Sequence, residues 1–216
     1  MRVTGHVRCV RRLRSPASCT GVAIMKQTLS RVTAGAMLLL SVAAFGACDD
    51  DDDPVGPRDI TQDLVNSIQT DAHVMGLLHQ SNLGEIDAGE LARDNASDTE
   101  VKSFATMMVN QHTTLDAQSN ALAAQLGITP SAPTDQLEDR QDEEVSQLAL
   151  TTGTTFDRNY IAQQIVAHTR TLALVDAGIA KVQNATLKIS LQTTVRPTVA
   201  EHLQMAQAIQ VRLGTP

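Results

Sequence analysis

Cysteine is scarce in this chain of 216 residues: there are three, and two of them, Cys9 and Cys19, precede a segment that reads as a cleavable export signal. Cys48 is then the single cysteine of the mature chain, which excludes disulfides and cysteine-based catalysis within the folded domain. Tryptophan is absent, Tyr160 is the one tyrosine, and of three phenylalanines only Phe104 and Phe156 follow the signal. With so little aromatic surface the core has to be built from Leu, Ile, Val, Met and Ala, which suits closely packed helices and disfavours a cofactor held by aromatic stacking. No Asp or Glu occurs before Cys48, so the mature part carries all 24 acidic residues against 10 of the 17 Lys and Arg, a formal net charge of −14. Such a surface repels nucleic acid and anionic lipid headgroups. No segment alternates apolar and polar residues long enough to argue a strand. No Ser or Thr sits in a strand-turn-helix elbow, the glycines form no phosphate-cradling loop, and paired inward carboxylates for acid-base work are missing.

What is present at the N-terminal end is an address. Lys26 and Arg31 form a basic start after Met25, Ala34 to Ala47 an apolar run, and Gly46 and Ala47 a small-residue cleavage site. The apolar run falls short of the ~20 residues a spanning helix needs. Cys48 directly after Gly46-Ala47 resembles the lipobox of bacterial lipoproteins, in which that cysteine becomes the lipidated N-terminus; Phe45 departs from the aliphatic residue usual in that box. Residues 1–24 resemble neither signal nor domain, and Met25 reads as the start. Residues 48–66, with the acidic run Asp49 to Asp53 and then Pro54, Gly56 and Pro57, read as a tether that cannot pack. The domain is expected over 67–216. The pattern implies export to the periplasm or outer membrane of a Gram-negative-type bacterium, with the lipid anchor as the membrane contact.

Four segments of the domain carry a period of 3.6 residues. The first runs from about Asp71 to Asn95 with Val74, Leu77, Leu78, Ser81, Glu85, Ala88, Leu91 and Ala92 on one face. Ser97 or Asp98 caps the second, whose stripe is Val101, Phe104, Met108, His112, Leu115, Ser119, Leu122 and Leu126, and which Gly127 ends. A short acidic helix is expected between Thr134 and Thr152. The third long helix, about Phe156 to Val182, aligns Ile161, Ile165, His168, Leu172, Val175 and Ile179; the fourth, about Thr186 to Leu213, aligns Leu187, Leu191, Val195, Val199, His202, Ala206 and Ile209. Pro197 should kink or restart that fourth helix. Four long amphipathic helices with a long middle connection predict an all-α four-helix bundle with a crossover between helices 2 and 3. A start near Ile60, with Asp59 or Thr61 as cap, is an alternative beginning for the first helix.

From about Ile68 to Leu213 the chain resembles an uncharacterised bacterial family of exported or outer-membrane proteins grouped with the ferritin-like bundles. The resemblance rests on Glu85-Ile86 with Leu91-Ala92, on Val101 to Ala105 running into Met108-Val109 and His112-Thr113, on Phe156 to Tyr160 ahead of His168, and on Pro197 five residues before His202. It implies a ferritin-like bundle and no particular activity. Where the family tends to place an acidic residue just before the second-helix histidine, this chain has Gln111.

One polar set interrupts the apolar stripes: Glu85, His112, His168 and His202, each near the middle of a separate helix. At a rise of about 1.5 Å per residue, His168 and His202 lie about 17 residues either side of the turn near Asn184 and so face each other, with His112 at mid-height and Glu85 within a turn and a half of it. Imidazole and carboxylate on facing helices are ligands for a divalent transition metal, Fe, Zn or Mn, and Met108 and Met205 would add soft donors for Cu. The absence of any Glu-x-x-His pair argues against an ordinary di-iron cluster. The competing reading is a hydrogen-bonded core network in which the histidines pair with Glu85, Asp116 or Gln164. His73 and His79 read as surface or end residues. The sequence thus predicts an exported, lipid-anchored, non-enzymatic bundle with a metal-binding His/Glu cluster; the alternatives are a ferritin-like metal-dependent oxidoreductase or metal store, and a module presenting its acidic faces to an envelope protein.

Overall fold

The computed structural model describes residues 59–132 and 134–214. The export signal over 25–47, the lipidation site Cys48 and the acidic run Asp49 to Asp53 lie outside these residues. Among the described residues all regular structure is helical: α1 (Thr61–Ser67), α2 (Asp71–Asn95), α3 (Thr99–Leu126), α4 (Asp135–Leu148), α5 (Gly153–Lys181), α6 (Ala185–Ser190), a π-helical turn (Leu191–Val195) and α7 (Arg196–Leu213). None of these helices is long and apolar enough to cross a membrane.

The boundaries follow from the capping chemistry. The Thr70 hydroxyl accepts from the His73 backbone N–H at the start of α2, and the Asp98 carboxylate accepts from Glu100 and Val101 at the start of α3. Each satisfies donors that a helix leaves unpaired in its first turn. Gly127 ends α3 in the left-handed region at φ 66°, with the Ile128 N–H returning to the Ala123 carbonyl at 2.9 Å, a closure open to a residue without Cβ. Helix α1 occupies part of the segment read as tether. Its Leu64 is 2 % exposed and packs in the core, so the domain's packing reaches N-terminal of residue 67, and the chain breaks at Ile68 before α2 begins.

The Asn184 side chain caps α6 by accepting from the Leu187 backbone N–H. Pro197 acts as expected on the last segment, in a specific form. Proline cannot donate to the carbonyl four residues back and its ring crowds that turn. The chain absorbs this just upstream by widening to a π turn, in which the Arg196 N–H reaches Leu191 rather than the residue after it.

Helix α2 packs on α3 and α5, and α7 packs on α5 and α3. Two aspartates tie the helix turns to the opposite helices. Asp157, near the start of α5, accepts from the backbone N–H of Ser97 at 2.8 Å and of Asp98 at 3.0 Å, and from the Ser97 hydroxyl. Asp71, at the start of α2, accepts from the N–H of Gln183 at 2.8 Å and Asn184 at 2.9 Å. The two acids are 86 residues apart and so are the turns they hold, so the α2–α3 and α5–α7 hairpins each clasp the turn of the other. Asp157 is 1 % exposed. Asp157→Ala removes three hydrogen bonds from one buried carboxylate to the α2–α3 turn and should cost about 3 kcal/mol of unfolding free energy; denaturant titration showing less than a third of that loss would refute the role.

The apolar core comes in two clusters. One gathers Val74, Leu77, Leu78, Leu174, Val175, Leu187 and Val195 with Leu64 of α1; the other gathers Val101, Phe104, Met108, Phe156, Tyr160, Ile161 and Ile209. In sequence order, each of α2, α3, α5 and α7 passes from one cluster to the other. The segments between hold buried polar residues: Ser81, Asn82 and Glu85 in α2, His112 in α3, Gln164, His168 and Thr171 in α5, and His202 in α7. Close approach shapes the first cluster's edge. A Cβ at Gly76 would stand 2.9 Å from the Ala132 backbone nitrogen and 2.9 Å from the Ser131 carbonyl carbon. The loop there is tied to α2 by the Ser131 N–H to Ala72 bond. Gly76→Ala is expected to lose about 1–2 kcal/mol despite alanine's better helix propensity, because backbone rather than a flexible side chain has to move. A gain in melting temperature would overturn this.

Candidate metal centre

His112, His168 and His202 reach the polar layer from α3, α5 and α7. Each can offer one ring nitrogen to a set lying within 4.8 Å of one another. Their ring centroids are 5.1–5.5 Å apart, and all three are at most 2 % exposed. The apolar residues one and two turns away on the same stripes carry these positions inward; the rings are buried because the faces they sit on are.

The hydrogen bonds fix which nitrogen each ring keeps free. His168 Nδ1 lies 2.9 Å from the Gln164 backbone carbonyl oxygen, which can only accept, so Nδ1 carries the proton and Nε2 is a bare lone pair. His112 Nδ1 donates to Asn82 Oδ1 at 2.9 Å, and His202 Nε2 donates to Gln111 Oε1 at 2.5 Å. That leaves three lone pairs: His112 Nε2, His168 Nε2 and His202 Nδ1. The latter two face each other at 3.3 Å, and His112 Nε2 is buried with no partner. Lone pairs turned on one another in a buried layer repel unless a cation lies between them. Bonds of about 2.0–2.1 Å to a tetrahedral ion separate two nitrogens by roughly 3.3 Å, the distance that His168 and His202 already have.

The protonation states suit this. Burial first, and the neighbouring His168 and His202 rings second, hold His112 well below the ordinary histidine range. Burial, then His168, pulls His202 down to about 4. Both are neutral at pH 7, the state in which imidazole is a ligand. Donation of the second ring N–H to a carbonyl or amide oxygen is the arrangement that orients metal-ligating histidines.

Glu85 takes a different place from the three rings. Its Oε1 is 3.5 Å from His168 Nδ1, the nitrogen on the far side from His202, and its Oε2 accepts from Gln164 Nε2 at 2.7 Å. The carboxylate stands behind His168, at 5 % exposure. Beyond it lies a cavity of about 20 Å³, lined by Glu85, Gln164, and Gln141 and Glu144 of α4, room for a single water. Helix α4 is held over the α2–α5 side by Gln80 donating to Gln141 and Arg170 donating to Glu144, both at 3.0 Å.

Of the other residues singled out in the sequence, Met108 and Met205 pack in the second apolar cluster. Asp116 meets His79 rather than the layer, its Oδ1 2.6 Å from His79 Nδ1, and His73 faces the Ser67 carbonyl. Sequence reasoning passed over Asn82 and noted Gln111 only as a departure from the family pattern. Asn82 sits on the inward side of α2 one turn before Glu85, where a polar residue next to Leu78 was a usable signal. Gln111 is exposed and carried none beyond its position beside His112.

A family model described as domain of unknown function (DUF4142) matches residues 61–209, most of the chain, and the protein belongs to that family. No curated protein and no solved structure matches it.

Proposed function

We propose that this family member binds one divalent transition-metal ion, Fe, Zn, Mn or Cu, through His112 Nε2, His168 Nε2 and His202 Nδ1. The observation that carries the reading is the unpartnered, buried His112 Nε2 turned toward two further bare nitrogens 3.3 Å apart. An unsatisfied buried acceptor costs about 1–3 kcal/mol; Gln164 Oε1 and the Tyr160 hydroxyl are unpartnered as well, and what sets His112 apart is that its ring belongs to the set of three whose ligand nitrogens lie within 4.8 Å of one another. The ring of contacts α2–α3–α7–α5 supports a ferritin-like four-helix bundle as the scaffold, with α4 inside the crossover. The Gly46-Ala47-Cys48 sequence supports export and lipid attachment at Cys48, which would hold the acidic domain at the cell envelope. Metal analysis of protein purified without a histidine tag is expected to return close to one ion per chain, lost on His168→Ala and on His202→Ala. Metal content equal in wild type and both variants would end the proposal. Cys48→Ser is expected to move the protein from the membrane to the soluble fraction.

A further inference from the structure

Three protein nitrogens leave a tetrahedral ion one position short. Among the described residues no other His, Cys, Asp or Glu joins the three nitrogens: both Glu85 oxygens are engaged on the opposite side of His168, Gln111 Oε1 is taken by the His202 N–H, and Gln164, whose Oε1 is unpartnered, is held on the Glu85 side through its Nε2. Charge narrows what can fill the position. Among the described residues Glu85 is the one buried acid in contact with the three histidines. Glu144, across the small cavity, is matched by Arg170; Asp157 is committed to the α2–α3 turn; Asp116 faces His79. Three neutral imidazoles and one carboxylate around a divalent ion leave one positive charge in a layer whose rings are 1–2 % exposed, and an uncompensated charge there costs several kcal/mol.

We infer that the fourth position takes one small monovalent anion, hydroxide in plain water, which cancels the charge that Glu85 leaves over. This rests on the metal reading above. The α3–α7 side is the less covered one, because Gln111 is the exposed partner of an otherwise buried ring, whereas α4 covers the α2–α5 side. The arrangement is that of a metal centre with an open position, as opposed to one closed by four protein ligands.

Cobalt(II)-loaded full-length protein, titrated with azide and followed by visible absorption, tests it. Azide is expected to shift the cobalt bands with saturation at one azide per ion. In Glu85→Gln, cobalt affinity should fall and azide affinity rise, each by about tenfold, because the same lost charge acts oppositely on cation and anion. Cobalt bound with a spectrum that azide leaves unchanged would overturn the inference and leave the metal site standing, and so would Glu85→Gln weakening both ligands alike. Failure of wild type to bind cobalt would sink the metal reading itself. The wild-type titration decides even where the variant does not fold.

Discussion

Zinc(II) or cobalt(II) added to metal-free protein should raise the unfolding temperature by roughly 10 °C, and His112→Leu should abolish the rise. A ligand that binds only the folded state stabilises by about 4 kcal/mol when its free concentration is a thousand times Kd, and a domain of this size gains about 2–4 °C per kcal/mol. Leucine fills the His112 site with apolar volume and removes the buried acceptor at Nε2, at the cost of the bond to Asn82 Oδ1. The metal-free stability of the variant is therefore expected to stay within about 1 kcal/mol of wild type. The two readings of the histidine layer part here. If the rings were kept for structure alone, His112→Leu would weaken the protein substantially and added metal would move neither form. His79→Ala, which alters a partly exposed contact with Asp116, should leave the metal response intact. Calorimetry in chelator and in excess metal measures all of these quantities.

How far the site could be read in advance depended on the kind of information each part required. Helix existence and the inward stripes need only periodicity, and α2 runs from Asp71 to Asn95 as the spacing predicted. Val101, Phe104, Met108, His112 and Leu115 are buried together on α3. The level shared by His168 and His202 followed from counting residues to a common turn, and it survives the π turn because one widened turn shifts the later residues by only a fraction of a helical repeat. Ring orientation is a different matter. Which nitrogen a histidine turns inward is set by hydrogen bonds to Asn82, Gln111 and a backbone carbonyl, and amides of that kind are indistinguishable in sequence from ordinary surface residues. The same limit applies to Glu85: its stripe position put it in the layer, but its side of His168 depends on the Gln164 bond across α2 and α5. Pro197 announced a disturbance without giving its form, since a kink, a restart and a π turn all relieve the same steric conflict.

Acid should destabilise the metal-free protein in a window that the ordinary carboxylates do not share. His112 in the folded state lies well below the usual histidine range and His202 is held near 4, both mainly by burial; in the unfolded chain each takes a proton near 6.5. Between these values the unfolded state binds more protons, so stability is fully present above pH 6.5 and declines as the pH falls. Each ring contributes up to about 1.4 kcal/mol per pH unit, reached below the unfolded value, so the pair together should cost about 3 kcal/mol between pH 6.5 and pH 5. The His202 share stops growing near pH 4, where the folded form protonates as well. Burial raises the Asp87 and Glu144 carboxyls, and because a folded value above the unfolded one adds stability as the pH falls, these two act with the opposite sign. Glu85, beside His168, is the anion packed against the layer. Its contact is to the ring whose Nδ1 already carries a proton, and that contact does not offset the cost of charging His112 or His202. In His112→Leu the slope should fall by about half. Urea titrations at pH 7 and pH 5 in the presence of chelator measure the difference directly, and equal unfolding free energies at the two pH values would show that the rings are solvated or already protonated in the folded state. With metal bound the decline should be steeper, because protons then compete with the ion for the same three lone pairs.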